Sequence, residues 1–162
     1  TFLDFIGMEV AKLNASLFMG AFRDKAPVEV SNDFKHALST VYLGKIPVLG
    51  GTHPGHTTDA VSAMLSEFVS ADIFLRFTNV DGVYDKDPRK FKDAKKLHKI
   101  SHEDLLGIVE DTKAEAGVNT VIDPLAAKIL KRSNIKTIVC GKEELSNLKA
   151  VIEGKHKGTE IS

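Results

Sequence analysis

Two stretches of this chain combine residue types suited to holding small anions and flat polar rings. The first is Gly50-Gly51-Thr52-His53-Pro54-Gly55-His56-Thr57-Thr58-Asp59. Glycines let a backbone approach a ligand closely. A helix start offers unpaired N–H groups and a partial positive charge, both suited to phosphate. Thr57-Thr58-Asp59 alone would read as an ordinary helix cap. The whole run, with its histidines and further glycines, points to a ligand site. His53 and His56 suit hydrogen bonding to a base, sugar or phosphate better than a metal. Zinc needs three or four ligands, and only Asp59 stands near them in sequence.

The second stretch is Thr78-Asn79-Val80-Asp81-Gly82-Val83-Tyr84-Asp85-Lys86-Asp87-Pro88. Asp81-Gly82 is a turn signal. The Tyr84 ring can cover a flat ligand, and Asp87 can accept hydrogen bonds from hydroxyls or a ring amine. By residue type alone the stretch could also be a plain polar loop. Lys86, Arg89, Lys90, Lys92, Lys95, Lys96 and Lys99 follow, mixed with Asp85, Asp87 and Asp93. Such a run reads mainly as a solvated face, though beside a triphosphate it would also ease the burial of the anion.

Both stretches must be held by regular elements, and the hydrophobic pattern supplies them. Leu3, Ile6, Val10, Leu13 and Leu17 recur at helical spacing. They predict an amphipathic helix whose stripe faces the core, with a dimer interface as the other use. Pro27 to Val30 and Ile46 to Leu49 predict short strands. Ser31-Asn32-Asp33 caps a helix ended by Gly44, and Thr57-Thr58-Asp59 caps another. Ile73 to Phe77 is a strand. Ser101 with Asp104 resembles a capping box opening a short helix through Val109. Asp123-Pro124 starts a helix, Ile135 to Val139 is a strand, and Glu143 to Glu153 is a last helix. Short apolar strands alternating with helices predict an α/β fold with a parallel sheet covered on both faces. In such sheets ligands sit beyond the carboxyl ends of the strands, where both loops stand.

Composition narrows the class. Apolar residues make up 43% of the 162 residues, enough for one domain with a sizeable core. Acidic and basic residues balance at 22 each, which argues against a general nucleic-acid or membrane-surface binder. The single cysteine, Cys140, excludes a disulfide framework and makes a reducing cytoplasmic setting the default. No apolar run reaches membrane-spanning length.

Gly-Gly-Thr-x-Pro-Gly-x-Thr-Thr-Asp followed by Thr-Asn-Val-Asp-Gly-Val-Tyr-x-Lys-Asp-Pro resembles the uridylate kinases of the amino acid kinase family. The first loop is the shorter form typical of archaeal members. Leu3-Asp4-Phe5-Ile6-Gly7, Ile122 to Ala127 and Gly158-Thr159-Glu160-Ile161 extend the likeness over nearly the whole chain. The resemblance implies one amino acid kinase domain over 1–162, a three-layer αβα sandwich with a mainly parallel sheet. It implies transfer of the γ-phosphoryl group of ATP to UMP with Mg²⁺, in the making of UTP and CTP, by a homo-oligomer, a hexamer in the family. Asp4 is expected to contact the UMP nucleoside, and Thr52, His53, Pro54, Gly55, His56, Thr57 and Thr58 to wrap base and phosphate. Thr78, Asn79, Tyr84 and Asp87 are expected to hold ATP. Asp123 resembles the aspartate that orients the catalytic lysine, and reads equally as a helix N-cap.

The family's lysine and two of its glycine-rich phosphate loops are not among these residues. The chain opens inside an apolar pattern without an initiator Met, which reads as a cut in mid-fold. Residues 1–162 expressed alone are therefore expected to be aggregation-prone and inactive. Two other readings stand beside this one. The first is a kinase of the same family acting on a carboxylate, carbamate or isoprenoid phosphate. The second is a non-catalytic nucleotide-binding regulatory module.

Overall fold

A computed structural model describes residues 2–114 and 121–162, and the chain divides into two compact units, Thr1–Val69 and Ser70–Ser162. The first unit is helical. Helix α1 spans Phe2–Phe22, α2 Phe34–Tyr42 and α3 Thr58–Phe68. The Asp33 carboxylate accepts the His36 N–H at 2.8 Å and fixes the start of α2.

The α1 stripe does not face inward. Leu3 is 75% exposed and Leu17 70%, and Phe5, Val10, Leu13 and Phe18 are exposed with them. The covered side is Asp4, Met8, Ala11, Lys12, Ala15 and Met19. Its middle is small for a reason: the Gly50-Gly51 backbone runs directly over it. A Cβ on Gly50 would lie 2.7 Å from Lys12 N, and one on Gly51 2.7 Å from Met8 Cγ. The stretch of that face under Gly50, at Ala11 and Lys12, leaves no room for a bulky apolar side chain between the two backbones.

The expected strands at 27–30 and 46–49 do not form. Ser31 N–H donates to Val48 O at 2.9 Å and Ile46 N–H to Lys25 O at 2.8 Å. These are single links between different partners, and a ladder needs consecutive ones.

The second unit carries the sheet. Its elements are β1 (Ile73–Thr78), β2 (Val83–Tyr84), β3 (Lys96–Leu97), β4 (Lys99–Ile100), α4 (His102–Ala114), α5 (Pro124–Ser133), β5 (Lys136–Gly141), α6 (Leu148–Ile152) and β6 (Thr159–Ile161). Four strands run in the order β1-β5-β6-β4. The β1–β5 and β4–β6 pairs are parallel and β5–β6 is antiparallel. A separate antiparallel ribbon pairs Val83 with Leu97 and Tyr84 with Lys96.

Alternation along the strands assigns the faces. Ile138 and Cys140 pack with Val151 of α6 and with Ile73, Leu75 and Phe77. Thr137 and Val139 on the opposite face are equally buried, so that face is covered too. Ala126, Ala127, Ile129 and Leu130 of α5 and Leu105 and Val109 of α4 supply buried apolar surface in the same unit. Sheet and helices together are an α/β arrangement of the αβα kind.

Capping explains the helix starts. The Ser101 N–H and hydroxyl donate to Asp104 Oδ2 at 3.0 and 2.6 Å, and the Asp104 N–H donates back to Ser101 Oγ at 3.0 Å. Those bonds hold the Asp104 carboxyl below the usual range. Helix α4 runs on past the expected end at Val109. The helix expected over Glu143 to Glu153 is instead a 3₁₀ segment, Lys142–Asn147, followed by α6. Asn147 breaks it: its side chain accepts the Ala150 N–H at 3.3 Å and starts the second piece as a new helix.

Candidate functional site

Each of the two chemical loops lines a cleft within its own unit. In the first unit a cleft of about 380 Å³ lies between the start of α1 and the loop before α3. Asp4 lines it from the helix; His53, Pro54, Gly55, His56, Thr57 and Thr58 line it from the loop. Thr52 is outside the lining, with its hydroxyl 3.2 Å from His53 Nδ1. The His53 and His56 rings meet edge to face at 6.2 Å.

Local bonding makes this loop an anion seat. Thr57 is the N-cap of α3, and its Oγ1 accepts the Ala60 N–H at 3.1 Å. A hydroxyl that accepts one bond still has its proton to donate. The Thr58 N–H occupies the first helical position, where an intrahelical partner does not exist. A phosphate set there meets a hydroxyl, a backbone donor and the positive end of α3.

The second cleft, about 700 Å³, opens where β1 and β5 end side by side, with Thr78 paired to Gly141. Asn79, Asp81, Tyr84 and Arg89 line it from the loop after β1; Gly141 and Glu143 line it from the end of β5. Thr78 and Asp87 stand outside the lining. Asp87 closes its own turn. Its Oδ1 accepts from Arg89 N and Nε at 3.0 and 3.1 Å, and its Oδ2 from Arg89 Nη2 at 3.1 Å. The Arg89 guanidinium holds the Asp87 carboxyl below its ordinary range.

Sequence reasoning missed the centre of this cleft. Asp81 reads as a turn residue, yet its carboxylate accepts the Tyr84 hydroxyl at 2.7 Å and the Lys96 ammonium at 2.8 Å. The bond from Lys96 and then that from Tyr84 lower the Asp81 pKa, and the bond to Asp81 raises that of Tyr84. The lysine run is therefore partly built in. Lys96 is 19% exposed, and Lys86 bonds Asp93 at 2.6 Å with its ammonium 5.4 Å from the Phe91 ring centre. Lys90, Lys92, Lys95 and Lys99 are solvated, as expected. Glu144 and Lys157 also line the cleft from the far end of the sequence, and no local pattern marks them.

Asp123 lines neither cleft. Its Oδ1 accepts the Leu125 and Ala126 N–H groups at 2.8 and 3.1 Å, so it serves as the N-cap of α5.

Comparison with known proteins identifies the family. The amino acid kinase family profile matches residues 3–141. A uridylate kinase of Pyrococcus abyssi is 52% identical over 161 residues, covering 99% of this chain and 72% of its own length. One of Methanococcus aeolicus is 46% identical over 162 residues and is likewise 72% covered. The crystal structure of a uridylate kinase from Archaeoglobus fulgidus superposes with a TM-score of 0.88 at 43% identity, over 99% of this chain and 72% of that one. A UMP kinase structure from Ureaplasma parvum, at 24% identity and a TM-score of 0.76 over 98% of this chain and 70% of that one, shares the fold. The chain thus spans about 72% of the length of these archaeal relatives, and it belongs to the amino acid kinase family, among the uridylate kinases.

Proposed function

We propose that the protein transfers the γ-phosphoryl group of ATP to UMP, giving ADP and UDP, with UMP in the first cleft and ATP in the second. A phosphate oxygen of UMP attacks the γ-phosphorus, and the bond from that phosphorus to the β,γ-bridging oxygen breaks, leaving ADP. Such a transfer depends on positioning and charge stabilisation more than on covalent chemistry. The first cleft serves the acceptor: Thr57, Thr58 and the α3 N-terminus hold its phosphate, and Asp4, His53 and His56 face its sugar and base. The second serves the donor: Tyr84 covers the adenine, and Asn79 and the end of β5 border the nucleotide. Glu143 lines that cleft and suits contacts to the water shell of a Mg²⁺ ion carried on the triphosphate. Mg²⁺ commonly binds through phosphates, waters and one or two carboxylates. Among the described residues no three His, Cys, Asp or Glu side chains gather as a closed metal site. When bound, the ion neutralises phosphate charge.

The observation that carries this reading is the acceptor cleft. Asp4 and six of the seven loop residues expected to wrap UMP line one space at a helix N-terminus. Threonines and histidines around it favour a nucleotide over an isoprenoid, which would want an apolar pocket. Assembly into a homo-oligomer, a hexamer by family likeness, is supported by the outward apolar face of α1. A cytoplasmic setting is supported by the single buried thiol, Cys140, and no helix among the described residues is long and apolar enough to cross a membrane.

ADP release by the purified full-length protein, measured with ATP and Mg²⁺ across UMP, AMP, GMP and acetylglutamate, tests the assignment. UMP is expected to give by far the highest kcat/KM. Equal or higher specificity for another acceptor overturns it.

A further inference from the structure

We infer that Thr159 is a positioning residue for the donor loop, acting through Val83 and Tyr84; this rests on the donor reading above. The β2–β3 ribbon that presents Tyr84 is only two residue pairs long. Ribbons of that size do not hold their shape alone in water. Something must tie this one to the sheet, and the described contacts show what does.

The Thr159 side chain is wholly buried, and its hydroxyl sits between the two ribbon strands. Its Oγ1 accepts the Val83 N–H at 2.8 Å and donates its proton to the Leu97 carbonyl. Val83 and Leu97 are register partners, so one hydroxyl serves both strands at the same rung. A hydroxyl can accept on one side and donate on the other, and this one does both.

The far end of this link is anchored as firmly. Thr159 lies in β6, where it pairs with Val139 of β5. Gly158 lets β6 begin close against β5: a Cβ there would collide with the Val139 carbonyl and lie 2.6 Å from Cys140 Sγ. Two residues on from Val139, β5 ends at Gly141, which lines the donor cleft. Thr159 therefore fixes the Tyr84 side of that cleft relative to its β5 side. Asp81 completes the arrangement by holding the Tyr84 hydroxyl.

The test uses the full-length protein and three variants, with KM for ATP, KM for UMP, kcat and Tm read for each. Thr159→Val keeps the shape and removes the hydroxyl. It is expected to raise KM for ATP about tenfold, the scale of leaving a buried donor and acceptor unpaired, with KM for UMP unchanged. Thr159→Ser keeps the hydroxyl and is expected to behave like the parent. Tyr84→Ala tests the donor reading by itself. If it leaves KM for ATP unchanged, that reading falls whatever Thr159 does. If it raises KM for ATP while folded Thr159→Val does not, the positioning role alone is overturned. Thr159→Ser being as impaired as Thr159→Val also overturns it. Should Thr159→Val fail to fold, hydrogen exchange of the parent decides. The Val83 amide is expected to exchange as slowly as those of β5 and to slow further with a non-hydrolysable ATP analogue. Exchange at the rate of an open loop overturns the proposal.

Discussion

The loop at 51–58 carries few side-chain bonds of its own, and what shapes its cleft is backbone: glycines pressed onto α1 and the N-terminus of α3. The loop at 79–88 is held mainly by side chains. Asp81 grips Tyr84 and Lys96, Asp85 accepts the Lys95 N–H at 2.8 Å, Asp87 grips Arg89 and Thr159 takes the Val83 N–H. A backbone-built cleft should be intolerant of added atoms and insensitive to charge. A cleft built from side chains should tolerate small changes and respond to charge and pH. The difference also separates two kinds of legibility, because glycine spacing is local and cross-links are not.

The largest effect is expected at Gly50. An alanine Cβ there meets the backbone of α1, which cannot swing aside. Gly50→Ala should lower kcat/KM for UMP about 100-fold, the scale of a small misplacement of a reacting group. It should also cost about 1–3 kcal/mol of stability by overpacking. Gly51→Ala meets the flexible Met8 side chain and should be milder. Steady-state kinetics and thermal unfolding of the pair check this. Equal behaviour of the two would mean that backbone approach does not shape the acceptor cleft.

Thr58→Ala comes next. Losing a hydroxyl bond to a charged phosphate costs about 1.5–3 kcal/mol, so KM for UMP should rise about 10- to 100-fold while KM for ATP stays put. A shift confined to ATP would reverse the assignment of the two clefts.

Asp81→Asn should act on the other side and more weakly. Its pairs are partly exposed, and such pairs contribute little, so a rise of only a few-fold in KM for ATP is expected. The sign with pH follows from the lowered Asp81 pKa. Its contribution is complete above the ordinary carboxylate value of about 3.9 and is lost as pH falls through the lowered folded value. Binding of a fluorescent ATP analogue, titrated from pH 6 downward in parent and variant, should show that loss in the parent only.

His102 gives the smallest effect and a control, since it lines neither cleft. Burial holds its imidazole below the ordinary pKa, and Lys131 pushes the same way. The native state therefore resists protonation that the unfolded chain accepts. Stability should fall as pH drops below about 6.5 toward the lowered folded value, and be fully present above it. His102→Gln should flatten that slope in urea unfolding curves, with both KM values unchanged. A change in either KM would tie α4 to a substrate.

Much of this molecule could be read from its sequence where the signal is local. Asp33, Thr57, Ser101 with Asp104 and Asp123 all cap the helices they were expected to cap. Strands β1 and β5 were legible as apolar runs that pair in parallel. The α1 stripe misled because helical spacing shows that one face is apolar, not what that face meets. The inward face was chosen by Gly50-Gly51, thirty or more residues away. Strands β2, β3, β4 and β6 are two or three residues long and partly charged, too short for any periodicity. Lys96 and Thr159 were invisible as site residues for the same reason, since their partners lie 15 and 76 residues away.

Hydrogen exchange of the full-length protein with UMP alone and with a non-hydrolysable ATP analogue alone tests the division most directly. UMP is expected to slow exchange across 51–61 and leave 79–89 unchanged, and the ATP analogue to do the opposite. Both ligands protecting the same segment, or UMP protecting 79–89, would contradict the account.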